Sequence, residues 1–314
     1  MIPQIRSGFV LSILMQTCLA FFAPVYGQQE SWETLIGNGD GALARKHFAD
    51  AEQNYRRALK LAEKSKDEGP KTAVALIKLA ELFSSQSRTD DAEAFADQSI
   101  SALSKAASGV KSAGGAAGLQ EDYYRAETRT LILDKAAAIY FADGKYSKAE
   151  QLYAQVIKIR ETYAQAKEHP HGNEDFLKFL GQALTGAKAK VADAYGDLAR
   201  VYFVQGRLGD AQLMYSKALA ILQAEFGEDQ PPVAKALSNL ATAYAAQGLY
   251  EKAEPLYVRA VGIFERSNWL DKPEVATAYE NYSLLLSKTG RQADATVMLE
   301  KARRIRSKVG IPQG

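Results

Sequence analysis

A 42-residue periodicity in the C-terminal part of the chain limits the possible fold more than any other feature. Glycine recurs at Gly206, Gly248 and Gly290, and small or apolar residues recur at the same offset around it. The aligned columns are Val191, Val233 and Val275; Ala192, Ala234 and Ala276; Ala194, Ala236 and Ala278; Ala211, Ala253 and Ala295; Ala218, Ala260 and Ala302; and Ile221, Ile263 and Ile305. The apolar spacing is helical, so each unit predicts a helix, a glycine turn and a second helix. Because one such hairpin cannot bury its apolar face alone, the sequence predicts a stacked array.

Weaker copies of this unit precede the regular ones. Their turns are expected at Lys46, Ser87 and Gly144, at the place where the regular units carry glycine. Alanine is frequent while proline and β-branched residues are scarce, which favours helices throughout. The sequence therefore predicts one solenoid over residues 28–314 with about six units, of which those at 191–309 are the most regular.

Three segments depart from the regular pattern. Gly37, Gly39 and Gly41 fall within the first helix and each costs about 1 kcal/mol relative to alanine, so we expect that helix to be frayed. Residues 108–118 (SGVKSAGGAAG) contain only small residues apart from Val110 and Lys111, and we expect a flexible linker. Residues at about 174–185 have a separate apolar face and predict an extra helix.

The repeat resembles a known family through the unit at 238–260. Its signature positions are Leu240, Ala241, Tyr244, Gly248, Tyr250, Ala253, Tyr257 and Ala260. These residues resemble those of tetratricopeptide repeats, whose usual period is 34 residues. The longer period here and the string AEPLY are similar to the subtype found in kinesin light chains. The resemblance implies an all-α, right-handed solenoid whose first helices line a concave groove that holds a protein or an extended peptide.

The register of the repeat places one polar column in that groove. The column consists of Asp197, Asn239 and Asn281, and one unit back Asp134 lies near it. The neighbouring groove residues are Asp193, Arg200, Lys235, Ser238, Thr242 and Glu280. A carboxamide both donates and accepts hydrogen bonds, so a row of them can bind a peptide backbone without reading its sequence, and in related arrays an asparagine here does contact the ligand. The alternative is that Asn239 and Asn281 only bond a neighbouring helix.

The N-terminus predicts a targeting segment. Arg6 provides a positive charge and residues 8–22 form an uncharged, mostly apolar stretch. Small residues Val25 and Gly27 suit cleavage after Gly27, so residues 1–27 are expected to be a signal peptide. The stretch is shorter than the ~20 residues that span a bilayer, so no membrane span is expected in the mature chain, although an uncleaved anchor is an alternative. We expect a periplasmic or secreted protein.

The sequence favours a binding protein over an enzyme. Lys and Arg number 39 against 37 Asp and Glu, so no net field attracts nucleic acid. The only cysteine, Cys18, lies in the signal segment, and no phosphate-binding loop or catalytic set is evident. We expect no cofactor and no metal. Two alternatives are a self-associating structural component of an envelope assembly and a metal-dependent activity at His169 and His171.

Overall fold

The described residues form pairs of helices, and a short turn joins the two helices of each pair. The computed structural model describes residues 30–65, 68–108, 116–166 and 186–308, and within them it contains twelve helices and no strand. The helices are α1 Trp32–Ala44, α2 Phe48–Ala62, α3 Glu68–Ser85, α4 Thr89–Ser108, α5 Ala116–Ala142, α6 Tyr146–Ala166, α7 Ala187–Val204, α8 Leu208–Phe226, α9 Pro231–Ala246, α10 Tyr250–Glu265, α11 Pro273–Lys288 and α12 Gln292–Lys308. The predicted all-α fold and its six helical hairpins are confirmed.

Some predicted segments lie outside the described residues. These are the signal peptide at 1–27, the extra helix at about 174–185, and the two histidines of the metal alternative. The predicted linker at 108–118 overlaps them in part. Ser108 is the last residue of α4 and residues 116–118 begin α5, so only residues 109–115 of that segment are left as a predicted linker.

The hairpins stack in chain order, so that each unit packs on the next. α5, α9 and α11 each contact both helices of the unit before them. In these three places the first helices of successive units approach one another more closely than the second helices do. A stack with this geometry curves toward its first helices, which places α1, α3, α5, α7, α9 and α11 on the concave side.

The six hairpins turn through the same backbone conformation. Four turns use glycine with φ between +74° and +81°, at Gly144, Gly206, Gly248 and Gly290. Lys46 and Ser87 take the same left-handed conformation, with φ of 60° and 59°. The turn positions predicted from the repeat are therefore confirmed, including the two at which a residue other than glycine bears the strain of a positive φ.

The alanine columns form the contact surface between neighbouring helices. Ala192, Ala234 and Ala276 are at most 1% exposed, and the other columns of the repeat follow the same pattern. A methyl group permits two helix axes to approach closely, and larger residues such as Tyr257 and Phe264 fill the spaces beside these contacts. One core cluster of buried residues runs through all six units, and two smaller clusters lie beside it.

The first helix is regular, and the prediction that it is frayed was wrong. α1 runs unbroken from Trp32 to Ala44, and the Ser31 hydroxyl caps it by accepting from the Thr34 amide at 3.1 Å. Gly39 is buried against the ring of Tyr55, to which a Cβ at this position would approach within 2.3 Å. The glycine makes room for a large aromatic ring, and burial of that ring offsets its low helix propensity.

Within the described ranges, no helix combines the length and the apolar character that a membrane span requires.

Candidate functional site

A ladder of polar contacts runs along the concave side of the array. Two positions in each first helix form it, the far position nine residues before the turn residue and the near position six residues before it. From the first unit to the sixth, the far positions are Gly37, Lys78, Lys135, Asp197, Asn239 and Asn281. The near positions are Asp40, Glu81, Ala138, Arg200, Thr242 and Leu284. Residues three apart share one face of a helix, so both positions face the groove.

Contacts between the near position of one unit and the far position of the next are here termed rungs. Three rungs are closed by direct polar contacts: Asp40 to Lys78 at 3.0 Å, Glu81 to Lys135 at 2.7 Å, and Thr242 to Asn281 at 3.2 Å. The first two are ion pairs and the third is a neutral hydrogen bond from the Asn281 amide to the Thr242 hydroxyl. In these three places the array satisfies its own polar groups.

Buried tyrosines of the second helices support the first and the last of these rungs. The Tyr55 hydroxyl donates to Asp40 at 2.7 Å, and the hydroxyls of Tyr257 and Thr242 lie 2.9 Å apart. Both tyrosines are the ninth residue after their turn. The near side chain therefore connects a tyrosine of its own unit with the far side chain of the next unit.

The two rungs in the middle of the array are open. Between units three and four, the near position is Ala138, which has no polar group to offer Asp197. Between units four and five, no hydrogen bond among the described residues joins Arg200 to Asn239. Arg200 instead lies 3.4 Å from Asp197 on its own helix and 5.0 Å from the centre of the Phe141 ring. The half-buried Asn239 amide has no partner within the described part of the chain.

Charged groups on α7 and α9 surround the open rungs. Asp193 and Lys235 are both exposed, and neither forms an ion pair with any residue that the structure describes. Burial raises the pKa of Asp197 to about 6, the charges of Asp134 and Asp193 add to this effect, and Arg200 and Lys235 oppose it. Restricted hydration in the concave wall also raises the pKa of Asp193, against the opposing charge of Lys235. A partner thus meets adjacent groups of both signs.

The structure divides the nine residues predicted to line the groove. Asn239, Lys235, Asp193, Asp197 and Arg200 lie together at the open rungs of units four and five. Four others are already engaged or buried. Thr242 and Asn281 bond each other, and Asn281 thus follows the alternative interpretation of a contact with a neighbouring helix. Ser238 is only 5% exposed, and Glu280 accepts two hydrogen bonds from Arg306. Ligand binding by these nine residues stays a prediction.

Several residues of the ladder were not predicted from the sequence. Counting back from each turn shows that Lys135, not its neighbour Asp134, occupies the far position of unit three, and Lys78 that of unit two. Asp134 instead faces Arg160 on α6 at 3.5 Å. The turn register contained this information. The tyrosine contacts could not be read from it, because they join residues that are about fifteen positions apart on different helices.

Among the described residues there is no group of three or more histidine, cysteine, aspartate or glutamate side chains that could hold a metal ion. The three aspartates near the open rungs, Asp134, Asp193 and Asp197, are interleaved with the cations Arg160 and Arg200. Their arrangement suits contacts with a polar ligand that has both donors and acceptors.

Comparison with protein families identifies the class. The model described as tetratricopeptide repeat matches residues 33–105, 190–266 and 233–308, and a second model with the same description matches residues 131–171. The first model alone covers more than half of the chain. The chain belongs to the tetratricopeptide repeat family, and the predicted resemblance is confirmed.

Solved structures show the same fold at low sequence identity. BtubC (BKLC) from P. vanneervenii has a TM-score of 0.57 at 18% identity, over 91% of this chain and 94% of that chain. A putative kinesin light chain from Podosopora anserina has a TM-score of 0.54 at 20% identity, over 77% of this chain and 98% of that one. The Rap conjugation gene regulator of plasmid pLS20 has a TM-score of 0.51 at 12% identity, over 89% and 75%. A search of curated protein sequences gave no match.

Proposed function

We propose that this protein is a non-catalytic scaffold that binds an extended peptide segment of a partner protein along its concave side. The observation that carries the proposal is the position of the open rungs. The rung residues of α1, α3 and α5 are paired with one another, and those of α11 are paired with neighbours on α9 and α12. In contrast, Asp193, Lys235 and Asn239 on α7 and α9 have no partner among the described residues. Unpaired polar groups in a half-buried wall favour a partner that completes their hydrogen bonds.

The chemistry of these groups suits a peptide backbone. The Asn239 carboxamide can accept from a backbone N–H and donate to a backbone carbonyl at the same time. Lys235 and Asp193 lie on adjacent helices at equivalent positions of the repeat, and their opposite charges favour a ligand that carries both signs. An extended segment presents backbone groups at regular intervals, as the repeat presents its first helices.

One structural neighbour supports a peptide as the ligand class. The Rap regulator of plasmid pLS20 was solved in complex with the Phr* peptide, and its TM-score to this chain is 0.51. At 12% identity this likeness concerns the fold alone, so the peptide-binding role of the present chain rests on its own open rungs.

The setting we propose is outside the cytoplasm. Its support is the segment at 1–27, with a basic residue, an apolar stretch and small residues before Gln28. Expression of the full chain in a host with the general secretory pathway, followed by fractionation and N-terminal sequencing, tests this proposal. A processed chain that begins at Gln28 and leaves with the exported fraction is expected. Full-length protein in the cytoplasmic fraction would contradict it.

Binding is tested with a random peptide library selected on the folded chain. The affinity of a selected peptide is then measured by fluorescence anisotropy for the native chain and for Asn239→Ala. Loss of one or two hydrogen bonds is expected to weaken binding by about tenfold. Asn268→Ala is the matched control, because Asn268 is an exposed asparagine in the loop before α11. Equal affinity for Asn239→Ala and the native chain would refute binding at the open rungs.

A further inference from the structure

The open rung between units three and four has an unusual shape. The near position is Asp, Glu, Arg or Thr in units one, two, four and five, but in unit three it is the exposed Ala138. A methyl group there leaves a notch in the concave wall, since the equivalent side chains of units one, two and five reach across to the next unit at distances of 2.7–3.2 Å. The notch is defined by Ala138, Tyr153 and Asp197.

A contact on one side of the notch fixes its level along the helices. The Arg200 guanidinium lies 5.0 Å from the centre of the Phe141 ring. Counting three residues back from Phe141 on α5 and from Arg200 on α7 places Ala138 opposite Asp197. Nearer the start of the two helices, Lys190 donates to Glu127 at 2.8 Å. Long side chains therefore bridge α5 and α7 on both sides of this level, and the methyl group of Ala138 does not.

A buried tyrosine points to the same place. Tyr153, the ninth residue after the turn of unit three, is only 2% exposed, and its hydroxyl has no hydrogen-bond partner among the described residues. The equivalent Tyr55 and Tyr257 bond the near side chain of their own unit, which at Ala138 does not exist. Burial raises the pKa of Tyr153, and the charges of Asp197 and Asp134 raise it further, so the hydroxyl stays protonated as a donor.

We propose that the side chain of an asparagine or glutamine in the bound partner enters this notch and completes the missing rung. Its carboxamide oxygen accepts the hydrogen bond from the Tyr153 hydroxyl, and its nitrogen donates to the Asp197 carboxylate. The ligand thereby takes the part that Asp40 and Thr242 play within the chain. This inference rests on the proposed function, and it adds a specificity element to contacts that otherwise involve only backbone.

Other side chains fit the notch less well. A ligand carboxylate would be repelled by Asp197 and by the nearby Asp134, of which only one oxygen faces Arg160. An ammonium group carries three donors and no acceptor, so the proton of Tyr153 would be left without a partner. An aliphatic side chain would bury both polar groups unsatisfied, which costs free energy. A carboxamide has one acceptor and one donor site and satisfies both.

The geometry of the notch is tested first within the chain itself. Ala138→Asn supplies the carboxamide internally, and Ala94→Asn is the control because Ala94 is an exposed alanine within α4. Both substitutions carry the same helix-propensity cost. Ala138→Asn is expected to melt about 2 °C higher than Ala94→Asn, and this difference is expected to vanish when Tyr153→Phe is added to both. Equal melting temperatures of the two variants, or a difference that survives Tyr153→Phe, would overturn the proposal.

The ligand is tested with the random peptide library. Peptides selected on the native chain are expected to carry asparagine or glutamine at one fixed position, and Ala138→Asn and Ala138→Leu, which both fill the notch, are expected to bind them about tenfold more weakly. Selected peptides without this preference would overturn the inference and leave the proposed function intact. Recovery of no peptide from the native chain would overturn the proposed function and this inference together.

Discussion

Two glycines in α1 have opposite surroundings, although they are only two residues apart. A Cβ at Gly39 would lie 2.3 Å from the Tyr55 ring, whereas a Cβ at Gly37 would meet nothing within 4 Å. Gly37→Ala is therefore expected to raise the free energy of unfolding by about 1 kcal/mol through helix propensity. Gly39→Ala is expected to lower it by about 2 kcal/mol, because the ring must move. Urea denaturation measures both, and two changes of the same sign would contradict the packing described.

Asp197 gives the fold a pH dependence of its own. Its pKa is raised to about 6 by burial, against about 3.9 in an unfolded chain. Between these values the folded state binds more protons than the unfolded state, so this group stabilises the fold as the pH falls and destabilises it as the pH rises. The ionised carboxylate therefore costs stability at neutral pH, and partial exposure and Arg200 reduce that cost.

Asp197→Asn is expected to be more stable than the native chain by about 1 kcal/mol at pH 7.5. The difference is expected to shrink steadily as the pH falls toward 4, where the native side chain is protonated in the folded state. Thermal unfolding at a series of pH values measures it. Glu300→Gln controls for a general loss of negative charge, because Glu300 is exposed on α12 and has no ion-pair partner among the described residues. A constant difference across the range would show that burial of this charge is not the cause.

At the scale of the helical hairpin, two turns carry avoidable strain. Ser87 and Lys46 have φ near +60°, the conformation that glycine adopts in the other four turns. A side chain in this conformation costs roughly 1 kcal/mol, so Ser87→Gly is expected to raise the free energy of unfolding by nearly that amount, less the entropy that glycine gains in the unfolded chain. Gly248→Ala is the reciprocal variant and should lose a similar amount. Calorimetry compares them, and a destabilised Ser87→Gly would contradict the strain.

These hairpins were the most predictable part of the structure. The turn residues and the alanine columns follow from one period, because the requirement for close helix contact recurs in each unit. The regularity of α1 could not be predicted from the repeat, since the ring that fills the space at Gly39 belongs to a residue on the next helix. Local propensity counts the cost of the glycine, and only the packed hairpin shows what offsets it.

The sequence predicted which residues of the candidate site are equivalent, but not which hydrogen bonds they make. The repeat register identified Asp197, Asn239 and Asn281 as equivalent, but equivalence says nothing about which is already bonded. Asn281 bonds a threonine of the preceding unit. The near position before Asn239 is Arg200, whose side chain lies against Asp197 and Phe141 instead. The difference is due to the residue at the near position of the preceding unit. The notch has the same origin, because it arises from the small residue Ala138 at a near position.

At the scale of the whole molecule, the concave side changes character along the array. The rungs between the first three units are ion pairs, the rung between the last two is a neutral hydrogen bond, and the pair of Glu280 with Arg306 closes the C-terminal end. Because the polar groups at both ends are paired with one another, a partner can form the most new hydrogen bonds at the centre. The ligand is therefore expected to lie across units three to five.

Stability is also distributed along the array, since each unit packs chiefly on its neighbours. Phe264→Ala removes a ring that is fully buried in unit five and is expected to cost about 3 kcal/mol or more. Hydrogen exchange should then rise across α9–α12 and stay unchanged in α1–α4. Phe83→Ala, in which a ring of equal burial is removed from unit two, is the matched variant and should show the reverse pattern. If both variants raised exchange evenly over the described helices, the array would unfold as one cooperative unit, contrary to this expectation.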